Sequence, residues 1–284
     1  MTRFVVVLLS LCILPAHATG QRVLNVGDAT LRYDVAGEGA AVVFIHGWAQ
    51  SLEIWEEQAR AFTPAYRVVR YDRRGFGQAA GHADASADPA DLRALLDTLG
   101  IRAAHIVGLS AGATVALDFA AAFPDRVRGL VLYGMPPVQG YPSMPHMRPR
   151  DIFGDIARRY GMDSVRRMIL ASPLVWVPTG RQDLRDAMRA AVSAYGGRDL
   201  LDPQPESGRV PHVQWDQLRD IRVPTLIVNG DHDLPEFLVF AEAARKQIPN
   251  ARQVIIQDGG HGAHFAQPQQ FNKALRDFFA SLSR

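Results

Sequence analysis

A serine inside a Gly-x-Ser-x-Gly motif is the first residue of this chain whose setting suggests chemistry. The motif is Gly108-Leu109-Ser110-Ala111-Gly112, and it follows an apolar run typical of a strand and precedes helix-forming residues. On so tight a strand-to-helix turn the serine hydroxyl is exposed, and the glycines let strand and helix approach each other. The backbone N–H of Ala111 would begin the helix, where developing negative charge is stabilised.

Polar groups also follow other predicted strands. His46 follows the apolar run 41–45, Asp233 follows 224–229, and His261 follows 251–257. In a parallel sheet these strand ends meet at one edge, so the side chains are expected on the same side as Ser110. An imidazole can take the proton of a serine hydroxyl near neutral pH, and a carboxylate can fix the imidazole's tautomer.

The elements that would position these groups alternate between strand and helix. Two short runs around Gly27-Asp28 predict an edge hairpin, and Ser51 is expected to cap the first helix. The other predicted strands are 41–45, 67–71, the run into Ser110, 127–133, 224–229 and 251–257, and the other predicted helices are 88–99, the run after Ser110, 235–247 and 268–282. This alternation predicts an α/β fold with a mainly parallel sheet and helices on both faces.

The alternation is interrupted from Met135 to about Leu218, where no strand pattern is convincing. This stretch begins with several prolines and continues with helical patterns around 152–160, 164–170 and 182–195. We interpret residues 135–218 as a helical cap inserted into a core made of 22–134 and 219–284. Most of its methionines and aromatic residues are expected to form its own core, and a few to line a pocket.

The first 18 residues resemble a secretion signal. Arg3 provides a positive start, residues 4–14 are apolar but too short to cross a bilayer, and Ala16-His17-Ala18 fits the cleavage pattern. Cleavage is predicted after Ala18, which would make the protein secreted or periplasmic. The only cysteine, Cys12, lies inside this stretch and follows Leu11 rather than a small residue, so no stable membrane anchor is expected.

Composition and spacing disfavour several classes of function. The 284 residues carry a formal net charge of only +2, and no basic stripe is interleaved with aromatic residues, so nucleic acid is not expected as a partner. No His-Glu-x-x-His motif occurs and the histidines lack ligand spacing, so no metal is expected. Gly75 and Gly77 do not form a dinucleotide fingerprint, and no cofactor is expected.

Several motifs together resemble the α/β-hydrolase superfamily, and the sequence is similar to its bacterial esterase, non-haem chloroperoxidase (perhydrolase) and lactonase branch. The motifs are His-Gly-Trp at 46–48, Tyr-Asp-Arg-Arg-Gly-Phe-Gly at 71–77, the serine motif at 108–112, Gly-Asp-His-Asp at 230–233 and Gly-Gly-His at 259–261. The chain order serine, aspartate, histidine is the one associated with this architecture. The resemblance covers the chain from about residue 22 except the cap, and it departs at Ala79 and Ala80, where relatives typically continue with serine.

The resemblance implies a role for each member of the site. Ser110 would be the nucleophile, His261 the base and Asp233 the acid that orients it. The backbone N–H groups of Trp48 and Ala111 would form the oxyanion hole.

The base and the acid each have a competing residue nearby in the sequence, and two further polar residues follow neighbouring predicted strands. The family's positions select His261 over His264 as the base, and Asp233 over Asp231 as the acid. His46 is expected to order its own loop, although a direct role stays open, and Asp72 is expected to bond loop N–H groups.

The sequence therefore predicts a secreted serine hydrolase that cleaves a small-molecule carboxylic ester or lactone through an acyl-enzyme on Ser110. The serine disfavours dehalogenases and epoxide hydrolases of this fold, because they use an aspartate nucleophile. Three alternatives stay open. They are a cofactor-free perhydrolase or haloperoxidase, a carbon–carbon bond hydrolase with the same triad, and a hydrolase-like ligand-binding protein with little turnover.

Overall fold

The structure is a computed structural model that describes residues 22–142, 149–202 and 212–282. The predicted signal sequence and its cleavage after Ala18 lie outside these residues. The strands are β1 (Arg22–Val26), β2 (Ala29–Ala36), β3 (Ala41–Ile45), β4 (Arg67–Tyr71), β5 (Ala104–Leu109), β6 (Val127–Tyr133), β7 (Thr225–Gly230) and β8 (Ala251–Ile256).

The α-helices alternate with these strands through most of the chain. They are α1 (Glu56–Phe62), α2 (Asp88–Thr98), α3 (Ala111–Ala122), α4 (Pro149–Tyr160), α5 (Met162–Ala171), α6 (Gln182–Ser193), α7 (Arg198–Leu201), α8 (Pro235–Gln247), α9 (Ala263–Ala266) and α10 (Pro268–Ser281). Short 3₁₀ turns span Leu52–Trp55, Pro124–Arg126, Pro173–Val175 and Trp215–Asp220. None of the helices in the described ranges is long and apolar enough to cross a membrane.

All eight strands form one sheet in the order β1-β2-β4-β3-β5-β6-β7-β8. Strands β3 to β8 run parallel, whereas β2 is antiparallel to both of its neighbours. Helices α2, α3 and α8 pack on one face, and α1 and α10 pack on the other. The predicted α/β fold is therefore confirmed. Strands β3 and β5 are buried along their whole length, as expected for strands covered by helices on both faces.

Between β6 and β7 the described residues form helices and loops without a strand. Helices α4 to α7 lie in this segment, 135–218, which we call the cap. Val165, Val192 and Leu200 from the cap pack in a cluster of their own, and this cluster also takes in Ala49 and Phe76 from the loops after β3 and β4. The cap therefore packs against the loops at the carboxyl ends of the strands.

The start of the first helix differs from its prediction. Ser51 was expected to cap it, but a 3₁₀ turn precedes α1 and the Ser51 side chain accepts no capping bond. The Ser51 hydroxyl donates to Glu53, and the N–H of Leu52 donates to Asp72 Oδ1 at 2.7 Å. The N–H is thus satisfied by a carboxylate twenty positions away, which local sequence rules cannot foresee.

The turn between β5 and α3 has the strained geometry that its glycines predict. Ser110 has φ 53° and ψ −120°, which L-residues rarely adopt. A Cβ on Gly108 would lie 2.1 Å from the carbonyl oxygen of Gly112, and one on Gly112 would lie 2.5 Å from the carbonyl oxygens of Ile45 and His46. Only glycine therefore fits at either position.

The substitution Gly108→Ala tests this close approach. Its new methyl group would meet backbone atoms, so we expect the free energy of unfolding in urea to fall by about 2–3 kcal/mol or more. The matched control is Gly196→Ala, because a Cβ at that exposed glycine meets nothing within 4 Å. The control should change stability by less than about 1 kcal/mol. Equal stability of the two variants would contradict the packing described for the turn.

Candidate active site

Ser110 lies at the carboxyl end of β5, at the point where the chain turns into α3. Its backbone N–H donates to the carbonyl oxygen of Tyr133 at 2.8 Å, which ties the turn to the end of β6. The side chain of Ser110 is partly exposed. The turn thus presents a hydroxyl at the edge of the sheet where the cap packs.

Asp233 and His261 are hydrogen-bonded to each other. His261 Nδ1 lies 2.9 Å from Asp233 Oδ1, and both residues are buried. The N–H of Leu234 also donates to Asp233 Oδ1, at 2.9 Å. Because Nδ1–H donates a hydrogen bond to the carboxylate, the neutral imidazole keeps Nε2 as its proton acceptor.

Asn229 supports the Asp233–His261 pair, although the sequence alone did not indicate it. It is fully buried in β7, and its side-chain amide donates to Asp233 Oδ2 at 3.1 Å. Both oxygens of Asp233 are therefore held by donors, which fixes the carboxylate beneath His261. The available signal was an amide in an otherwise apolar strand, four residues before Asp233.

The segment 133–134 lies between the serine turn and the Asp233–His261 pair. A Cβ on Gly134 would lie 2.8 Å from His261 Cε1 and 3.5 Å from Asp233 Oδ2. The hydroxyl of Tyr133 donates to the backbone oxygen of His261 at 2.6 Å. Since the carbonyl of Tyr133 also binds the N–H of Ser110, the fold brings these three predicted site residues around one segment.

His264 occupies a different place from His261. It is buried, and its Nδ1 lies 3.2 Å from the hydroxyl of Tyr133. Burial, with a smaller effect from the charge of His261, lowers the pKa of His264 to about 3. The side chain is therefore neutral at pH 7 and lies behind the site, packed against Trp55 with ring centroids 4.7 Å apart.

Asp231 is likewise separate from the pair. Its carboxylate accepts the backbone N–H groups of Asp258 and Gly259, at 3.2 Å and 3.0 Å, and so braces the loop that leads to His261. His232 stacks on Trp176 of the cap, with ring centroids 4.2 Å apart.

His46 orders the loop that follows β3. The backbone N–H of Arg73 donates to His46 Nε2 at 3.0 Å, so Nδ1 carries the proton and donates to the carbonyl oxygen of Gly47 at 2.7 Å. Burial, and then the charge of Arg73, lowers the pKa of His46 well below its ordinary value, which keeps the ring neutral. In a trans peptide the C=O and N–H point in opposite directions, so the N–H of Trp48 points away from His46.

The two predicted oxyanion donors lie on neighbouring loops. A Cβ on Gly47 would be 3.4 Å from Ser110 Cβ, so the residue before Trp48 lies against the serine. Ala111 is the first residue of α3, where helix geometry leaves N–H groups without partners. Neither the N–H of Trp48 nor that of Ala111 donates to any residue within the described ranges. Both N–H groups are thus left without a protein acceptor in the described ranges, as an oxyanion hole would require.

Asp72 is structural, as expected. Its carboxylate accepts the N–H of Leu52 at 2.7 Å and that of Gln78 at 2.8 Å, and it pairs with the buried Arg32. It therefore joins the loops after β3 and β4 without reaching the Asp233–His261 pair.

Comparison with known proteins identifies the family. The alpha/beta hydrolase fold family matches residues 40–268. A 2-hydroxy-6-oxo-6-phenylhexa-2,4-dienoate hydrolase of Comamonas testosteroni is 26% identical, over 89% of this chain and 92% of that protein.

Two solved structures are also similar. An N-acyl homoserine lactone degrading enzyme superposes with a TM-score of 0.74 at 25% identity, covering 90% of this chain and 100% of that one. A bromoperoxidase from Bacillus anthracis superposes with a TM-score of 0.72 at 25% identity, covering 89% and 96%. The chain belongs to the alpha/beta hydrolase fold family and is an enzyme of that family.

Proposed function

We propose that this enzyme hydrolyses a carboxylic ester or lactone through an acyl-enzyme on Ser110. The supporting observation is the buried Asp233–His261 hydrogen bond, held at 2.9 Å beside the strained serine turn. A carboxylate bound at Nδ1 leaves Nε2 able to accept a proton. A serine hydroxyl becomes a good nucleophile only when such a base removes its proton. The lactone-degrading relative supports the same class of substrate.

The reaction would proceed in two halves. His261 Nε2 takes the proton of Ser110 as the serine oxygen attacks the carbonyl carbon, and the N–H groups of Trp48 and Ala111 stabilise the oxyanion. His261 then gives the proton to the leaving alcohol, which stays attached to the acyl group when the substrate is a lactone. In the second half His261 deprotonates a water molecule that attacks the acyl carbon, and the acid leaves as Ser110 regains its proton. Asp233 stabilises the imidazolium throughout.

The substitution Ser110→Ala tests this proposal. We expect the protein to hydrolyse p-nitrophenyl esters, tried from acetate to decanoate, and the variant to lose about 10⁴-fold or more in kcat because no acyl-enzyme can form. The preferred chain length would measure the acyl pocket. Wild-type activity that survives in Ser110→Ala would contradict the serine mechanism, and inactivity of both proteins would favour a ligand-binding protein with little turnover.

A perhydrolase is the second candidate, supported by the similarity to a bromoperoxidase. Hydrogen peroxide would replace water in the second half of the reaction, giving a peracid and free Ser110. Peroxide-dependent halogenation in acetate buffer measures this directly. If no peracid forms above background, this candidate is removed. The next reaction to assay would then be carbon–carbon bond cleavage, because the Comamonas relative is a 2-hydroxy-6-oxo-6-phenylhexa-2,4-dienoate hydrolase.

If His261 is the base, His264 is a buried, neutral side chain. The pH dependence of the unfolding free energy should show this. Because burial lowers the pKa of His264 to about 3, the unfolded chain binds a proton there between pH 3 and about 6.5 that the folded protein does not. The contribution of neutral His264 to the unfolding free energy is therefore lost as pH falls through that range. Between pH 7 and 5, His264→Gln should lose about 2 kcal/mol less unfolding free energy than wild type in urea titrations.

The matched control for His264→Gln is His82→Gln, which removes an exposed histidine. We expect it to follow the wild-type pH dependence. If His264→Gln does the same, His264 is not a buried neutral group.

We also propose export with removal of residues 1–18, based on the predicted signal sequence. Expression of the full chain in a Gram-negative host should yield periplasmic protein whose N-terminal sequence begins at Thr19. Intact Met1 in a cytoplasmic product would refute this.

A further inference from the structure

The side chain of Trp48 is bound by the cap, although its backbone belongs to the loop after β3. Its indole Nε1–H donates to Asp199 Oδ2 at 2.8 Å. Its ring also packs against Phe153 and Tyr195, with centroid distances of 5.0 Å and 5.5 Å. The residue that is to supply an oxyanion donor is thus held by cap residues more than a hundred positions later in the chain.

The loop around Trp48 needs such support. Ala49, the next residue, has φ 59°, a backbone conformation that costs a non-glycine residue roughly 1–2 kcal/mol. Gly47 is held within its own loop, where its N–H donates to Gln50 Oε1 at 2.9 Å and its oxygen accepts a hydrogen bond from His46 Nδ1 at 2.7 Å. The peptide between Gly47 and Trp48 is therefore held at its oxygen, but the Cα of Trp48 is followed directly by the strained Ala49.

Asp199 is suited to provide the missing restraint. It is the second residue of α7 and only 3% exposed. Its other oxygen, Oδ1, accepts a hydrogen bond from the hydroxyl of Tyr195 at 2.6 Å. A buried carboxylate must be matched by donors, so its position and that of the indole depend on each other.

We propose that Asp199 is a positioning residue that completes the oxyanion hole from the cap. This inference rests on the proposed function. His46 holds the oxygen of the peptide that carries the Trp48 N–H, and Asp199, by fixing the indole, fixes the Trp48 Cα at the other end of that peptide, next to Ser110. Displacement of a catalytic donor by about 1 Å can cost about a hundredfold in rate.

A purely structural role for Asp199 would give a different result, because the cap has a second attachment. Trp176 stacks on His232, and its side chain would contact a Cβ placed on Gly260 at 3.0 Å. This attachment lies beside Asp233 and His261 and does not involve Trp48. Loss of Asp199 should therefore leave the cap seated on the Asp233–His261 side while freeing the indole.

The test compares Asp199→Leu, Asp199→Asn and Trp48→Phe in ester hydrolysis, with active sites titrated so that kcat refers to folded enzyme. For Asp199→Leu and Trp48→Phe we expect kcat to fall about tenfold to a hundredfold, with KM changed less than about threefold. Asp199→Asn keeps an oxygen for the indole N–H and should recover most of kcat. The double variant Trp48→Phe/Asp199→Leu should be no slower than the slower single variant, because both remove one interaction.

The matched control is Arg166→Met. Arg166 donates to the backbone oxygen of Tyr195 at 2.9 Å and 3.2 Å, so it supports the cap without touching Trp48. This variant should lower Tm and leave kcat per titrated site within about threefold of wild type. If Arg166→Met and Asp199→Leu reduce kcat equally, Asp199 acts only through general cap stability and the proposal is wrong.

A readout independent of hydrolysis is the indole N–H signal of Trp48 in the ¹⁵N–¹H NMR spectrum, assigned by its loss in Trp48→Phe. A bond to a carboxylate moves this signal downfield, and Asp199→Leu should move it back while Arg166→Met does not. Unchanged kcat in Asp199→Leu, or an unmoved signal, would overturn the positioning role alone. A wild-type protein that hydrolyses no ester but shows the shifted signal would instead overturn the proposed function.

Discussion

The strained backbone of Ser110 is the constraint on which the rest of the site depends. A conformation with φ 53° costs of the order of 1–3 kcal/mol for a serine, so the surrounding packing must hold it. Here β5 and α3 approach so closely that Gly108 meets Gly112, and Gly112 in turn meets the carbonyls of Ile45 and His46. The same contact that holds the serine turn therefore places the end of β3, and with it the loop of Trp48, beside the serine.

The remaining groups are fixed by buried hydrogen bonds that converge on the ends of β6 and β7. Tyr133 binds the N–H of Ser110 through its carbonyl and the oxygen of His261 through its hydroxyl. Asn229 holds Asp233 from below. Groups that are far apart in sequence thus keep their geometry before any substrate arrives, and donors fixed in advance are what make electrostatic stabilisation of an oxyanion effective.

Much of the fold could be predicted from the sequence, because strands buried on both faces appear as apolar runs bounded by turn residues. Strands β3, β4 and β6 have the predicted bounds, and the predicted hairpin forms around Gly27-Asp28. The serine turn was predictable because Gly-x-Ser-x-Gly between a strand and a helix is typical of such a turn. One departure is the start of the first helix, where Asp72 rather than Ser51 satisfies the first N–H.

The supporting residues of the site could not be predicted, since each acts through a partner that only the fold brings near. Asn229 binds Asp233 across the turn that follows β7, and Tyr133 binds the backbone of His261, 128 positions later. Asp199 binds a tryptophan 151 positions earlier. Choosing His261 over His264 required a family resemblance, because both follow the same strand. In the structure they differ in partners: His261 faces Asp233, and His264 is buried behind it.

An activated nucleophile at Ser110 is tested most directly by labelling with a fluorophosphonate, which reacts with serine hydroxyls that a base activates. Mass spectrometry of the digested protein should place one label per chain on the peptide that contains Ser110. His261→Ala should slow labelling by about 10³-fold or more, because the hydroxyl loses its base. A label on another residue, or equal labelling rates in wild type and His261→Ala, would contradict the proposed mechanism.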